Sequence, residues 1–160
     1  MSFLRRTPRA KSAEGLLGTG TDMTSDAASY EEETRGVLVR ARPEYREDQS
    51  SPRNSRFVWA YTIEIVNRSD ETVRLLERYW RIMDAHGQVE EVRGPGVVGE
   101  QPQLLPGQAY RYTSGAPLNT PSGVMQGAYL METESGETFD AVIPAFSLDS
   151  PHEPASRRPN

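Results

Sequence analysis

Phe57-Val58-Trp59-Ala60-Tyr61-Thr62-Ile63-Glu64-Ile65-Val66 is the stretch whose reading decides the fold. Phe57, Trp59, Tyr61, Ile63 and Ile65 fall on every second position, with Val58, Ala60, Thr62, Glu64 and Val66 between them. Side chains of a strand point alternately to opposite faces, so this period of two predicts a strand whose odd-numbered, bulkier set faces the core. Asn67-Arg68-Ser69-Asp70 follows with the short polar side chains that favour a turn.

Working outward, Val37-Leu38-Val39-Arg40-Ala41-Arg42 reads as an earlier strand ended by Pro43, and Arg46 to Pro52 reads as a charged loop. Downstream, Val73 and Leu75 share one parity while Leu76, Trp80 and Ile82 share the other. One inserted residue flips the faces of a strand, so a β-bulge is expected near Leu75-Leu76. Asp84-Ala85-His86-Gly87 then closes a hairpin onto Gln88 to Val92. A Gly/Pro-rich loop spans Gly94 to Gly107, and further runs occupy Tyr110–Tyr112, Met125–Met131 and Phe139–Ile143. Turn signals at Pro121-Ser122-Gly123 and Glu134-Ser135-Gly136 separate these runs. Pro144 is expected to break the last ladder, with Phe146 and Leu148 anchoring the end of the domain. Short strands at intervals of roughly ten residues, without a long helical period, predict an all-β antiparallel sandwich of seven to eight strands.

The ends read differently. Residues 1–34 hold few large apolar groups and show neither period, which predicts a disordered leader, basic over its first eleven residues and acidic at Glu31-Glu32-Glu33. Met23 sits late in that leader, and a start at Met23 is an alternative beginning for the chain. Residues 35–150 form the domain, and residues 151–160, with Pro151, Pro154 and Pro159, form a flexible tail.

Composition narrows the function. The 160 residues carry a formal charge of −5 and no Cys, so a disulfide framework, a thiolate nucleophile and a Cys-based zinc site are excluded and a cytoplasmic location is expected. No stretch approaches the roughly 18 apolar residues of a membrane helix, and Leu16-Leu17 cannot supply an export signal. Lys11 is the single lysine among 18 basic residues. The arginines lie scattered among more numerous carboxylates, which reads as coding bias and disfavours a nucleic-acid surface.

His152 lies in the tail and His86 in a turn, and no spaced catalytic motif surrounds either, so no catalytic residue is assigned. Asp84, His86, Glu90 and Glu91 could hold a divalent ion, but a solvated polar turn accounts for them, and no metal or cofactor is assigned. Gly94, Gly96 and Gly99 match G-x-G-x-x-G. With Pro102 and Pro106 the helix required by a dinucleotide fold is not expected, so a surface loop is favoured. Arg93 with Gly94, Gly96 and Gly99 remains the candidate amide nest for an anion or pyrophosphate. Arg78 shares parity with Trp80 and Ile82, which predicts a partly buried arginine paired with Asp84 or stacked on Trp80.

Taken together, Phe57 to Ile63, then Val73, Leu75, Arg78, Trp80, Ile82, Asp84 and Gly87, the run Val92 to Pro102, Leu105-Pro106-Gly107, Tyr110, Tyr112-Thr113-Ser114, Leu118, Thr120-Pro121, Gly123, Met125, Gly127 and Tyr129 closely resemble the bacterial ApaG family. Ala141, Ile143-Pro144, Phe146 and Leu148 fit the same pattern, and the resemblance covers residues from about 35 to 150. The resemblance implies an immunoglobulin-like or fibronectin type III-like β-sandwich. It also implies a non-catalytic module for protein-protein interaction, since related domains occur in F-box proteins and in a polymerase delta-interacting protein. Bacterial members carry a cobalt and magnesium efflux label and often lie beside a diadenosine tetraphosphate hydrolase gene. A protein partner is therefore the first functional expectation. Nucleotide or polyphosphate binding at the Gly94–Gly99 loop, linked to diadenosine tetraphosphate metabolism, is the alternative.

Overall fold

The computed structural model describes residues 9–11 and 28–152. In chain order the strands are β1 (Arg9–Lys11), β2 (Tyr30–Thr34), β3 (Val37–Tyr45), β4 (Phe57–Asn67), β5 (Val73–Asp84), β6 (Val89–Pro95), β7 (Gln103–Leu104), β8 (Ala109–Leu118), β9 (Ser122–Thr133) and β10 (Thr138–Asp149). Two short 3-10 turns, Glu47–Gln49 and Pro52–Asn54, lie in the charged loop before β4. One sheet has the order β1-β8-β4-β3-β2 and the other β10-β9-β5-β6, with β7 paired to β5. All pairings are antiparallel, and the two sheets stack as a sandwich.

β4 is central in its sheet, and its odd-numbered set, Phe57, Trp59, Tyr61, Ile63 and Ile65, is buried as the alternation predicts. The facing sheet contributes Val73, Leu75, Trp80, Met125, Tyr129, Met131, Ile143, Phe146 and Leu148. The bulge in β5 is present: against β9 the register passes from Leu75↔Met131 to Glu77↔Leu130, leaving Leu76 as the extra residue. Strands β3, β4, β5, β6, β8, β9 and β10 are the seven runs legible in the sequence.

Four expectations change. The ordered domain starts before Arg35, because β2 pairs along β3 from Tyr30↔Ala41 to Thr34↔Val37. Its Glu31-Glu32-Glu33 side chains are exposed on an edge strand, so pairing rests on backbone groups that leave no apolar period, and the charges discourage edge association. β1 likewise pairs with Ala109 to Arg111 of β8, inside the expected leader, while the rest of residues 1–27 lies outside the described residues, Met23 included. Pro43 does not end β3. The Arg46 N–H bond to Val58 O sets the ladder's alternation and leaves Pro43 at a position whose missing N–H would face away from β4. Pro144 does not end β10 either; the register shifts between Ile143 and Phe146, and pairing resumes. The tail begins later than Pro151, since the His152 ring lies 5.8 Å from that of Tyr45 and 6.2 Å from that of Phe57. Residues 153–160 lie outside the described part.

One end of the sandwich is tied by Asn67, a fully buried polar side chain. Its Nδ2 donates to Glu71 O at 2.8 Å and Leu104 O at 2.9 Å, while Oδ1 accepts from Ser69 N and Oγ. A buried amide is stable only with such partners, so the expected turn residue is also the clamp holding β7 to the β4–β5 connection.

Candidate binding cleft between the two sheets

The bulge that alters the parity of β5 also shapes the loop after β6. Leu76 O, freed from the regular ladder, accepts Gly96 N–H at 2.8 Å and Gln101 Nε2 at 2.9 Å, and Leu75 N–H donates to Pro102 O. Between these anchors Val97 and Glu100 exchange both backbone bonds, at 2.8 and 2.9 Å, around Val98 (φ 41°) and Gly99 (φ 83°). Two consecutive positive φ angles make this a tight turn of the primed hairpin type, normally taken by Asn-Gly. A β-branched residue there is an outlier, and Val98 is nonetheless buried. Gly96 (φ 62°) has no room for a side chain, because a Cβ would meet Glu100 O at 2.2 Å.

This geometry does not assemble the anticipated amide nest. The N–H groups of Gly96, Val97 and Glu100 are spent on backbone carbonyls of the protein. Gly94 is a paired β6 residue opposite Arg78, and no helix follows the glycines. Arg93 has the opposite parity: its guanidinium stacks on the Tyr79 ring at 4.3 Å, on the outer face of the sheet. Strand alternation therefore separates Arg93 from the glycine turn.

Arg78 is half-buried as its parity predicts, but its partners differ from expectation. Its Nη1 donates to Pro95 O at 3.1 Å and Gly96 O at 3.0 Å. Six residues along a strand span roughly 20 Å, which puts Asp84 out of reach. Asp84 Oδ1 instead accepts His86 N–H at 2.8 Å and Gln88 N–H at 2.9 Å, capping its own hairpin turn. Trp80 is buried against Tyr61 and Phe146, with ring centroids at 5.2 and 6.0 Å, and does not carry Arg78 on its face. Nor do Asp84, His86, Glu90 and Glu91 converge: Glu90 and Glu91 project to opposite faces, and Glu91 accepts from Tyr79 Oη at 2.6 Å. Among the described residues no three His, Asp or Glu side chains form a group that could hold a metal ion.

What Arg78 does reach is a cleft of about 200 Å³ between the sheets, where edge strand β6 stands over β8. Tyr61, Trp80, Tyr112, Met125, Val97 and Val98 line its depth, Ile82, Val92 and Ala116 its sides, and Arg78 and Glu90 are its two charges. Toward the β5–β6 hairpin it continues past Ile82 and Pro117 into an open groove beside Asn54, Arg56 and Asn119. Three phenols stand behind the cleft. The Tyr112 and Tyr129 hydroxyls hydrogen-bond each other across the sheets at 2.5 Å, and Tyr61 bonds Ser114. Burial pushes the Tyr112 and Tyr129 hydroxyls well above the usual phenol range and raises that of Tyr61 too, outweighing the nearby Arg78 charge that favours ionisation. All three are neutral at physiological pH, and within the Tyr112–Tyr129 pair one hydroxyl donates and the other accepts. The sequence signal for this site was a charged residue on the core-facing parity of β5; its partners come from strands far apart in the chain.

Residues 47–133 match the ApaG domain. Over 131 residues the chain is 60% identical to Protein ApaG of Rhodospirillum centenum, covering 82% of this chain and 99% of that one. The chain belongs to the ApaG family. To Protein ApaG of Paramagnetospirillum magneticum it is 61% identical over 124 residues, covering 78% of this chain and 95% of that one. A crystal structure of the Bordetella pertussis protein designated ApaA superimposes with a TM-score of 0.71 at 42% identity, covering 73% of this chain and 95% of that one. This ApaG-family chain carries the cleft within the shared portion, since its lining residues from Tyr61 to Met125 all fall inside the matched domain. Among the described residues no helix is long and apolar enough to cross a membrane.

Proposed function

We propose that this ApaG-family chain is a non-catalytic binding module that recognises another protein through the open side of its sandwich. The observation that carries the reading is the cleft between β6 and β8: a concave, mainly apolar surface with a half-buried cation, bordered by a strand edge. Such surfaces suit recognition, because apolar walls supply affinity and a few fixed polar groups supply orientation. The family's cobalt and magnesium efflux label points the partner search toward divalent-ion homeostasis. Affinity purification from the native host tests it, with the wild-type chain beside Val92→Arg, which puts a charge on the wall of the cleft. A partner recovered at several salt concentrations and lost with Val92→Arg is the expected result; no partner, or one retained equally by both, overturns it.

The nucleotide alternative draws on Arg93 and the Gly94–Gly99 turn, whose amides are largely committed within the protein. Calorimetry with ATP and diadenosine tetraphosphate should show no heat at millimolar ligand. A saturable heat would restore that alternative.

A further inference from the structure

We propose that the cleft between β6 and β8 binds a small free carboxylic acid with a compact apolar or aromatic body, its carboxylate on Arg78 and its body among Trp80, Val97, Val98 and Ala116. The inference rests on the same cleft as the partner reading, but requires only the isolated chain.

Three observations converge. The first is the charge. Arg78 is held by two neutral carbonyl oxygens on one nitrogen, and among the described residues no carboxylate lies within ion-pair distance of it. Its guanidinium plane is fixed by those bonds and by Gly94, where a Cβ would stand only 3.0–3.1 Å from its atoms. A pinned guanidinium with unused N–H groups matches the paired oxygens of a carboxylate. The second is size. The cleft offers about 200 Å³, and an apolar cavity of roughly 150 Å³ accepts a benzene-sized ring. One ring with one carboxylate fits that volume. The third is Val98, which lines the cleft with a left-handed backbone that costs a β-branched residue energy. Strain of this kind persists where surrounding structure enforces it, and it concentrates at ligand sites. Glu90 marks the outer lip, exposed to solvent, so its repulsion of an anion is screened while Arg78 acts from deeper in.

The test is a titration of the ¹⁵N-labelled full chain with benzoate, benzamide and acetate, followed by amide and indole chemical shifts. Benzoate should move the Trp80 indole and the Val97, Val98 and Ala116 amides, saturating at roughly 0.1–1 mM. Benzamide, uncharged and of the same shape, should bind at least about tenfold more weakly, and acetate should leave the cleft unmoved. Arg78→Gln should abolish the preference for benzoate, and Glu90→Gln should strengthen benzoate binding about twofold. Ala116→Leu, which fills the space, should block benzoate with the remaining spectrum intact. Because Arg78 also holds the loop, Ala116→Leu and the benzoate-to-benzamide ratio of the wild-type chain decide the matter if Arg78→Gln does not fold. Equal binding of benzoate and benzamide, shifts confined to other surfaces, or none at about 10 mM benzoate would overturn the proposal. In each of those cases the partner reading keeps its own test, because a protein captured by the wild-type chain and lost with Val92→Arg needs no acid.

Discussion

The two long sides of the sandwich are built from the same kind of strand and end in opposite ways. On one side β10 leans on β3 and β2: Val142 N–H donates to Thr34 Oγ1 at 3.1 Å, the Arg35 guanidinium lies 4.7 Å from the Phe139 ring centroid, and the Tyr30 and Phe146 rings are 6.1 Å apart. On the other side β6 stands off from β8 and leaves the cleft with Arg78 inside it. The closed side has large side chains reaching across from both sheets. The open side has only the small Ala116 on the core-facing parity of β8, and opposite it Gly94 leaves room for the Arg78 guanidinium alone. Closure is therefore a matter of side-chain volume at a few positions.

The largest break in this contrast should come from Phe146→Ala on the closed side. Phe146 is fully buried against Tyr30, Tyr61 and Trp80, so truncation should cost about 3–5 kcal/mol in urea denaturation. A loss below 1 kcal/mol would mean that β10 is not what seals that side. Next is the phenol pair behind the cleft. Tyr112→Phe leaves the buried Tyr129 hydroxyl without its partner and should cost about 1–3 kcal/mol at neutral pH. Its pH signature is more specific. The unfolded chain releases phenolic protons near pH 10, whereas burial keeps Tyr112 and Tyr129 protonated in the folded state. Their raised values therefore contribute stability that is complete below about pH 10 and falls as pH rises beyond it. Stability measured from pH 9 to 12 should decline less steeply for Tyr112→Phe, by one titrating group. On the open side Ala116→Leu should change stability by less than about 1.5 kcal/mol in either direction, because space already exists for the added carbons. A larger loss would show the cleft to be narrower than described. Smallest of all is Arg93→Ala on the outer face, where losing the stack on Tyr79 should cost about 0.5–1 kcal/mol.

Much of the fold was legible because strand alternation is local. The period of β4, the parity flip at Leu76 and the turn at Asp84–Gly87 each follow from neighbouring residues, and each is found in place. β2 was hidden because an exposed edge strand of glutamates has no apolar alternation to show, and β7 because two residues carry no period. The prolines misled for a related reason. Whether a missing N–H matters depends on which side of the ladder it faces, and that is settled only when the partner strand is aligned. At the site, half-burial of Arg78 could be read from its parity, while its contacts could not. Glycine spacing marks Gly94–Gly99, yet the Gly96 and Val97 amides serve the carbonyls of Leu76 and Glu100.

Sequence by itself determined the seven long strands, their inward faces, the bulge and the ApaG-family pattern, because each is written in residues adjacent or alternate along the chain. Only the tertiary structure decided that Tyr61, Arg78, Tyr112 and Met125, carried on four different strands, border one cleft. The spacing of two stacked sheets at an open side depends on volumes contributed from both, and no single segment contains that sum.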